Sequence, residues 1–286
     1  MNKNTARTDL ALENAESIGS SANGIVIYED IKEDVKITRI KITSEDGEKE
    51  IGKPKGTYIN LEVPRFTAGA GLDKNIAKLL SYELNALLPE NRSCVLVVGL
   101  GNTEITPDAL GPKAADKVLA TRHISKDLAL KLGLFDIKSV AVITPGVLGK
   151  TGIETKELVK SAADSILPSA IIIIDALAAR SLNRLGCTVQ ISNSGINPGS
   201  GVGNSRAEIS KKSLGIPVVS IGVPTVVDAK TLISDITNNN ESDCPDMIVT
   251  PKEIDMMINR ASELIAAAIN LCLQPDLSLE DLAGLI

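Results

Sequence analysis

Tryptophan is absent from the 286 residues, and phenylalanine and tyrosine occur only two and three times. So few flat side chains leave little on which to stack nucleobases, and a net charge of -6 gives no general attraction to a phosphate backbone. Direct nucleic-acid binding is therefore not expected. Histidine occurs once, as His123, which removes the two- and three-histidine zinc sites. A Ser-His-Asp triad would have to use it, and no G-x-S-x-G elbow accompanies any serine. The four cysteines, Cys94, Cys187, Cys244 and Cys272, are far apart and form no C-x-x-C pair, which argues against a zinc ribbon or a redox motif and leaves them as reduced thiols. The N-terminus lacks the apolar core of a signal peptide, and no apolar run crosses a bilayer's thickness without a charge or a turn. A cytoplasmic location without a membrane partner is the expectation.

What remains is aliphatic. Hydrophobic residues make up 43% of the chain, so valine, isoleucine, leucine and alanine must fill the interior of one domain, a composition suited to strands covered on both faces by helices. Residues 24–31, 35–43 and 57–63 alternate with period two and read as an antiparallel meander, the last two joined by a Gly- and Lys-rich turn at 46–56. Residues 72–88 have helical spacing and stop at Pro89. Solid apolar runs follow at 94–100, 139–143, 170–174, 188–192 and 217–223, each bounded by turn signals, as parallel strands buried on both faces would be. Thr250-Pro251-Lys252-Glu253 has the grammar of a helix start, with a long helix to about Leu273, and 238–246 reads as an exposed loop. The expected fold is α/β: a doubly wound, mainly parallel sheet flanked by helices, with an N-terminal antiparallel β appendage over residues 10–70.

In open α/β sheets ligands bind beyond the carboxyl ends of the strands, which directs attention to the loops after the apolar runs. Asp108 lies in T-P-D, where a Gly-rich loop enters a helix, and an acid there complements the helix dipole with no catalytic role required. Asp175 ends the most apolar run, before a segment, 176–181, able to start a helix. Partial burial at such a strand end raises a carboxyl pKa toward neutrality. If the two strands are neighbours, one protonated and one ionised acid form a pair that activates water for attack on an amide. The competing use of Asp108 and Asp175 is a divalent metal, magnesium or manganese rather than zinc. The loop 145–151 ends in GKT but fails the P-loop spacing, since Thr144 stands where a glycine is needed; a nucleotide-binding regulator using Gly146 to Thr151 is the reading from another class. The cluster Gly199 to Gly203 is a turn, or a place where backbone approaches a bound peptide. His123 is read as a partner for the last carbonyls of the Asp108 helix.

The loops together resemble the germination proteases of endospore-forming bacteria. The resemblance rests on RTDLA at 7–11, GLGN at 99–102, TPDALGP at 106–112, TRH at 121–123, TGIET at 151–155, DALA at 175–178, PGSGVGN at 198–204, GVPTVVD at 222–228 and VTPKE at 249–253, collinear across nearly the whole chain. It implies an endopeptidase of atypical aspartic type, a class also filed among metallopeptidases, whose catalytic aspartates match Asp108 and Asp175. It implies a fold similar to the hydrogenase-maturation proteases and a homotetramer in the forespore and spore core, with no required cofactor, acting on small acid-soluble spore proteins. The family is made as zymogens, and its substrates are cut after the first Glu of Thr/Ile-Glu-Ile/Phe-Ala-Ser-Glu. Asp9-Leu10-Ala11-Leu12-Glu13 is similar, so self-cleavage is expected between Asp9 and Leu10, with 1–9 as propeptide and 10–286 as peptidase domain, aided by the high effective concentration of a tethered site.

Overall fold

Valine and isoleucine are the commonest residues of the sheet, because β-branched side chains pack well on a pleated surface buried on both sides. The computed structural model describes residues 8–18, 23–68, 71–131, 136–203, 206–237 and 247–285. Its strands are β1 (Ile25–Lys32), β2 (Val35–Ile42), β3 (Gly56–Glu62), β4 (Cys94–Gly99), β5 (Ser139–Ile143), β6 (Ala170–Ala179), β7 (Thr188–Ser192), β8 (Val218–Asp228) and β9 (Ile248–Val249). They form one sheet in the order β1-β2-β3-β7-β8-β6-β4-β5, with β9 on β8. The strands β8, β6, β4 and β5 are mutually parallel. The remaining pairs are antiparallel, so the N-terminal meander is joined to the parallel part through β7.

Alternate residues of each strand serve opposite layers. Ile172 and Ile174 of β6 pack with Val95 and Val97 of β4 beneath α3 (Lys74–Leu87), α4 (Leu110–Ala115) and the C-terminal helix Ile254–Leu273. Ile171 and Ile173 point the other way, onto Val159 and Ala163 of the helix Thr155–Ile166. On that second face α1 (Ala11–Ile18) and α2 (Glu45–Ile51) cover Ile40, Ile42 and Tyr58. Among the described helices, Ile254–Leu273 is the one long and apolar enough to cross a membrane, and 72% of that stretch is buried within the protein. Three alanines in a row, Ala266 to Ala268, let it approach its neighbours closely. It begins three residues later than its T-P-K-E signature suggests, because the Thr250 hydroxyl donates to the Thr225 carbonyl and not to the helix.

Four expectations are corrected. The stretch expected to be a turn at 46–56 contains α2: Ser44 caps it by accepting from the Gly47 amide, acids fill its first turn, and Gly52 ends it at φ 70°. Asp175 does not end its strand. β6 continues to Ala179, since the ladder to β8 runs on through a bulge at Leu177/Ala178, and pairing overrides the helical preference of Ala176 to Ala179. β7, expected to be parallel, runs antiparallel to both its neighbours because it follows β6 through a short 3-10 turn instead of a helical crossover. His123 is not at the end of the Asp108 helix, since α4 stops at Ala115; it is exposed in the turn after Thr121, whose hydroxyl is tied to the Lys138 carbonyl and the Val140 amide. The expected loop at 238–246, with Cys244, lies outside the described residues, as do residues 1–7 of the expected propeptide.

Candidate active site

One row of the sheet carries polar side chains where its neighbours carry aliphatic ones. Asn60 of β3 faces Gln190 of β7, Gln190 faces Gly222 of β8, and Gly222 faces Asp175 of β6. Residues in one row share a face, so Gln190 and Asp175 project on the same side with no side chain between them. Two strand spacings leave a trough roughly 10 Å wide over Gly222. A methyl group there would lie 2.5 Å from the Asp175 carbonyl oxygen and 2.8 Å from Leu177 Cγ. The trough opens into a cavity of about 770 Å³ whose walls include Lys53, Asp175, Gln190, Asn197 and Ser200.

The second acid arrives from β4. The Leu100 amide donates to the Ile174 carbonyl at 2.8 Å, which fastens the outgoing loop beside Asp175. Gly101, at φ 121°, then turns the chain so tightly that a Cβ would sit 1.9 Å from the Asp108 carbonyl oxygen. Thr106–Asp108 form a 3-10 turn, and α4 follows from Leu110. Asp108 therefore closes a turn instead of capping a helix by a side-chain bond. Burial pushes its carboxyl up to about 6, against a hydrogen bond from the Asn102 amide that favours the charged form. Asp175 is 6% exposed, and its carboxyl is held well above the ordinary range, first by burial, then by the charges of Asp108 and Asp9; the Ala176 amide at 2.9 Å offsets part of this. The structure thus brings the two predicted acids within electrostatic reach of each other.

It also brings them a third acid. Thr8, Asp9 and Glu13 line the cavity. The Asp9 amide donates to the Ala178 carbonyl at 2.9 Å, the Ala178 amide donates to Asp9 Oδ2 at 2.9 Å, and the Ser200 hydroxyl donates to Asp9 Oδ1 at 2.7 Å. The Gln190 side chain spans the next peptide: Nε2 donates to the Asp9 carbonyl at 3.1 Å and Oε1 accepts from the Ala11 amide at 2.8 Å. Leu10 is fully buried among Leu177, Ala179, Leu185 and Val227, a burial that contributes about 1.5–3 kcal/mol. Lys53 donates to the Thr8 carbonyl at 3.1 Å, and burial lowers its ammonium pKa although Asp9 and Glu13 work the other way.

Gln190, Ser200 and the Ala178 amide were not singled out in the sequence. A glutamine inside the apolar run 188–192 was the available signal for the first. The Gly199 to Gly203 cluster was the signal for the second, since that loop does lie against a peptide, the chain's own N-terminus. Lys150 of the GKT stretch is ion-paired with Glu104 at 2.7 Å, away from any phosphate-loop geometry. Cys94, Cys187 and Cys272 are free thiols. Among the described residues no group of three or more His, Cys, Asp or Glu is placed to hold a metal ion. Asp108 and Asp175 give two carboxylates, while both oxygens of Asp9 accept hydrogen bonds from protein donors.

Residues 4–239 match the family model described as germination protease. A germination protease of Caldanaerobacter subterraneus is 42% identical over 317 aligned positions, covering 98% of each chain. One from Clostridium perfringens is 41% identical, covering 96% of this chain and 97% of its own. One from Priestia megaterium is 46% identical over 235 positions, 79% of this chain and 63% of its own. Among solved structures, the [NiFe] hydrogenase maturation protease HycI of Thermococcus kodakarensis is 18% identical with a TM-score of 0.38, covering 65% of this chain and 98% of that one.

Proposed function

The chain belongs to the germination protease family, and we propose that it is a zymogen that cuts its own Asp9–Leu10 bond and then cleaves small acid-soluble spore proteins, with Asp108 and Asp175 activating water. In this reading it works in the cytoplasm of the forespore and in the spore core, as a homotetramer and without a cofactor. The observation that carries the reading is the convergence of Asp9 on the acid pair: its charge acts on Asp175 while Gln190 holds its carbonyl and the Ala11 amide.

The two acids divide the work by environment. Near neutral pH Asp108, with its carboxyl at about 6, is ionised, and the proton is assigned to Asp175, whose carboxyl burial and the charges of Asp108 and Asp9 hold well above the ordinary range. Asp108 takes a proton from water as the water oxygen bonds to the Asp9 carbonyl carbon. Asp175 gives its proton to the carbonyl oxygen, and Gln190 Nε2 offers that oxygen a further hydrogen bond. Collapse of the tetrahedral intermediate breaks the C–N bond. The Leu10 amine leaves with the proton held by Asp108, and the hydroxyl proton of the intermediate returns to Asp175. Both acids end as they began, with water added across the peptide bond.

The test is intact-mass analysis of the purified chain over time, beside Asp108→Asn and Asp175→Asn. The expected product begins at Leu10 and is missing from both variants. Cleavage persisting in both would remove the acid pair, and a different first residue would remove the assignment of the bond. Adding an acid-soluble spore protein to the processed chain tests the substrate in the same way.

A further inference from the structure

Glycines let the backbone that carries Asp108 touch the backbone that carries Asp175. Gly111 lies in α4, three residues after Asp108, and a Cβ there would sit 2.1 Å from the Leu100 carbonyl oxygen and 2.5 Å from the Ile174 carbonyl oxygen. Gly99, the last residue of β4, fits against the same turn of helix: its Cβ would sit 2.4 Å from the Gly111 carbonyl oxygen and 2.7 Å from Ala115 Cβ. Gly101 meets the Asp108 carbonyl in the same way. Neither Gly99 nor Gly111 is among the residues of positive φ, so what both supply is space and not backbone freedom.

Helix and strand both disfavour glycine, by about 0.5–1 kcal/mol per residue. Core packing alone does not call for it here, since Leu110, Ala114 and Ala115 of the same helix already fill the core. What distinguishes the two positions is the peptides they touch. The Ile174 carbonyl belongs to the peptide that leads into Asp175, and the Leu100 amide holds that carbonyl at 2.8 Å. Ala109 and Leu110, both fully buried, join Asp108 to Gly111 in one continuous turn, in which the Ala109 amide donates to the Thr106 carbonyl and the Lys113 amide to the Ala109 carbonyl, each at 3.1 Å. A shift at Gly111 is therefore carried to Asp108, while Asp175 stays with its ladder to β8.

We propose that Gly111 and Gly99 are positioning residues for the reaction: by letting α4 rest on the backbone of β4 and β6, they set the separation of the Asp108 and Asp175 carboxyls. The proposal rests on the reading that these two acids activate the water. Heavy atoms in ordinary contact lie roughly 3.5 Å apart, so a methyl at Gly111 drives α4 back by roughly 1 Å. A displacement of that size at a reacting group slows a reaction on the order of 100-fold.

The experiment measures the appearance of Leu10 as the new N-terminus against pH in the full chain, in Gly111→Ala and in Gly99→Ala, with each rate referred to the folded fraction read by denaturation. Neither glycine lines the cavity, so cleavage of an added acid-soluble spore protein should show the loss in kcat with KM nearly unchanged. Wider separation weakens the repulsion between the carboxyls and admits solvent, so both limbs of the pH profile should move to lower pH, by on the order of half a unit. Leu84→Ala, which cuts into the same core from α3, should lose stability and leave both limbs in place. Asp108→Glu, whose extra methylene spans the gap, should slow the parent chain but speed Gly111→Ala severalfold. Rates per folded molecule equal to the parent's, or slower rates with unmoved limbs and no recovery by glutamate, overturn the positioning role while leaving the peptidase intact. Failure of both alanine variants to fold assigns the glycines to the core alone and overturns it too. Absence of cleavage in the parent chain overturns the peptidase reading and the positioning role with it.

Discussion

Asp175 faces Gly222 across the β6–β8 ladder, and that pairing creates the trough. Gly222→Ala would place its methyl 2.5 Å from the Asp175 carbonyl oxygen, a contact the backbone can relieve only by shifting the strand that carries the acid. The variant should lose roughly 1–3 kcal/mol, the usual cost of overpacking a tight site, and should process its N-terminus poorly even where it remains folded. Chemical denaturation and the appearance of Leu10 measure the two effects separately. Wild-type values for both would show the trough to be wider than the structure has it.

The acid pair also governs stability against pH. Both carboxyls lie above their ordinary value in the folded protein, so from that value up to about 6 the native state keeps a proton on Asp108 that the unfolded chain has released. A native state with more bound protons loses stability as pH rises through this window. Asp108→Asn escapes the loss and should be more stable than the parent at pH 7.5 by on the order of 1–2 kcal/mol after allowance for solvent screening, with little gain at pH 4. Equal gains at both pH values would contradict the shifted carboxyl.

Processing should follow the same titration in the other direction. If Asp108 takes the proton from water, the rate should rise about tenfold per pH unit below 6 and level off above it, until Asp175 ionises. Stopped time courses analysed by mass read the profile. A rate that falls steadily as pH passes 6 would reassign the base.

Exhaustive chelation should leave the rate of processing unchanged, because the acid pair and water account for every proton moved in the proposed reaction. Loss of activity on chelation, restored by magnesium or manganese, would replace the acid pair with a metal centre at Asp108 and Asp175.

The outer edge of β1 pairs with no strand among the described residues, yet Tyr28 and Ile31 on it are 65% and 72% exposed. Edge strands of this kind invite pairing with another copy. Replacing Tyr28 and Ile31 with lysine should leave the single chain folded and lower the mass seen by light scattering below that of a tetramer. An unchanged mass would move the contact elsewhere.

The parallel strands were legible because solid Val/Ile runs have few other uses, and α3 because its apolar residues keep helical spacing up to Pro89. Asp108 and Asp175 stood out in the sequence as acids beside apolar runs, and the resemblance then gave them a shared purpose. Three features were not legible. The α2 segment hid its helix because Gly47 and its charged neighbours resemble a turn when the Ser44 and Gly52 caps are overlooked. β6 overran its apparent end because alanines take the conformation of their partner strand. Gln190 sat unnoticed within an apolar run, since its importance depends on a residue in another strand.

Sequence by itself determined the class of fold and the family, and it nominated the two acids, because apolar periodicity and collinear motifs are properties of local chain order. Tertiary structure alone decided that Asp108 comes within electrostatic reach of Asp175, that Gln190 stands opposite Asp175 over a bare glycine, and that Asp9 lies among Ala178, Ser200 and Gly201. These relations join residues up to 191 positions apart. Burial and mutual repulsion, which push the acid pair's protons upward, exist only once the sheet has set its register and brought the charges together.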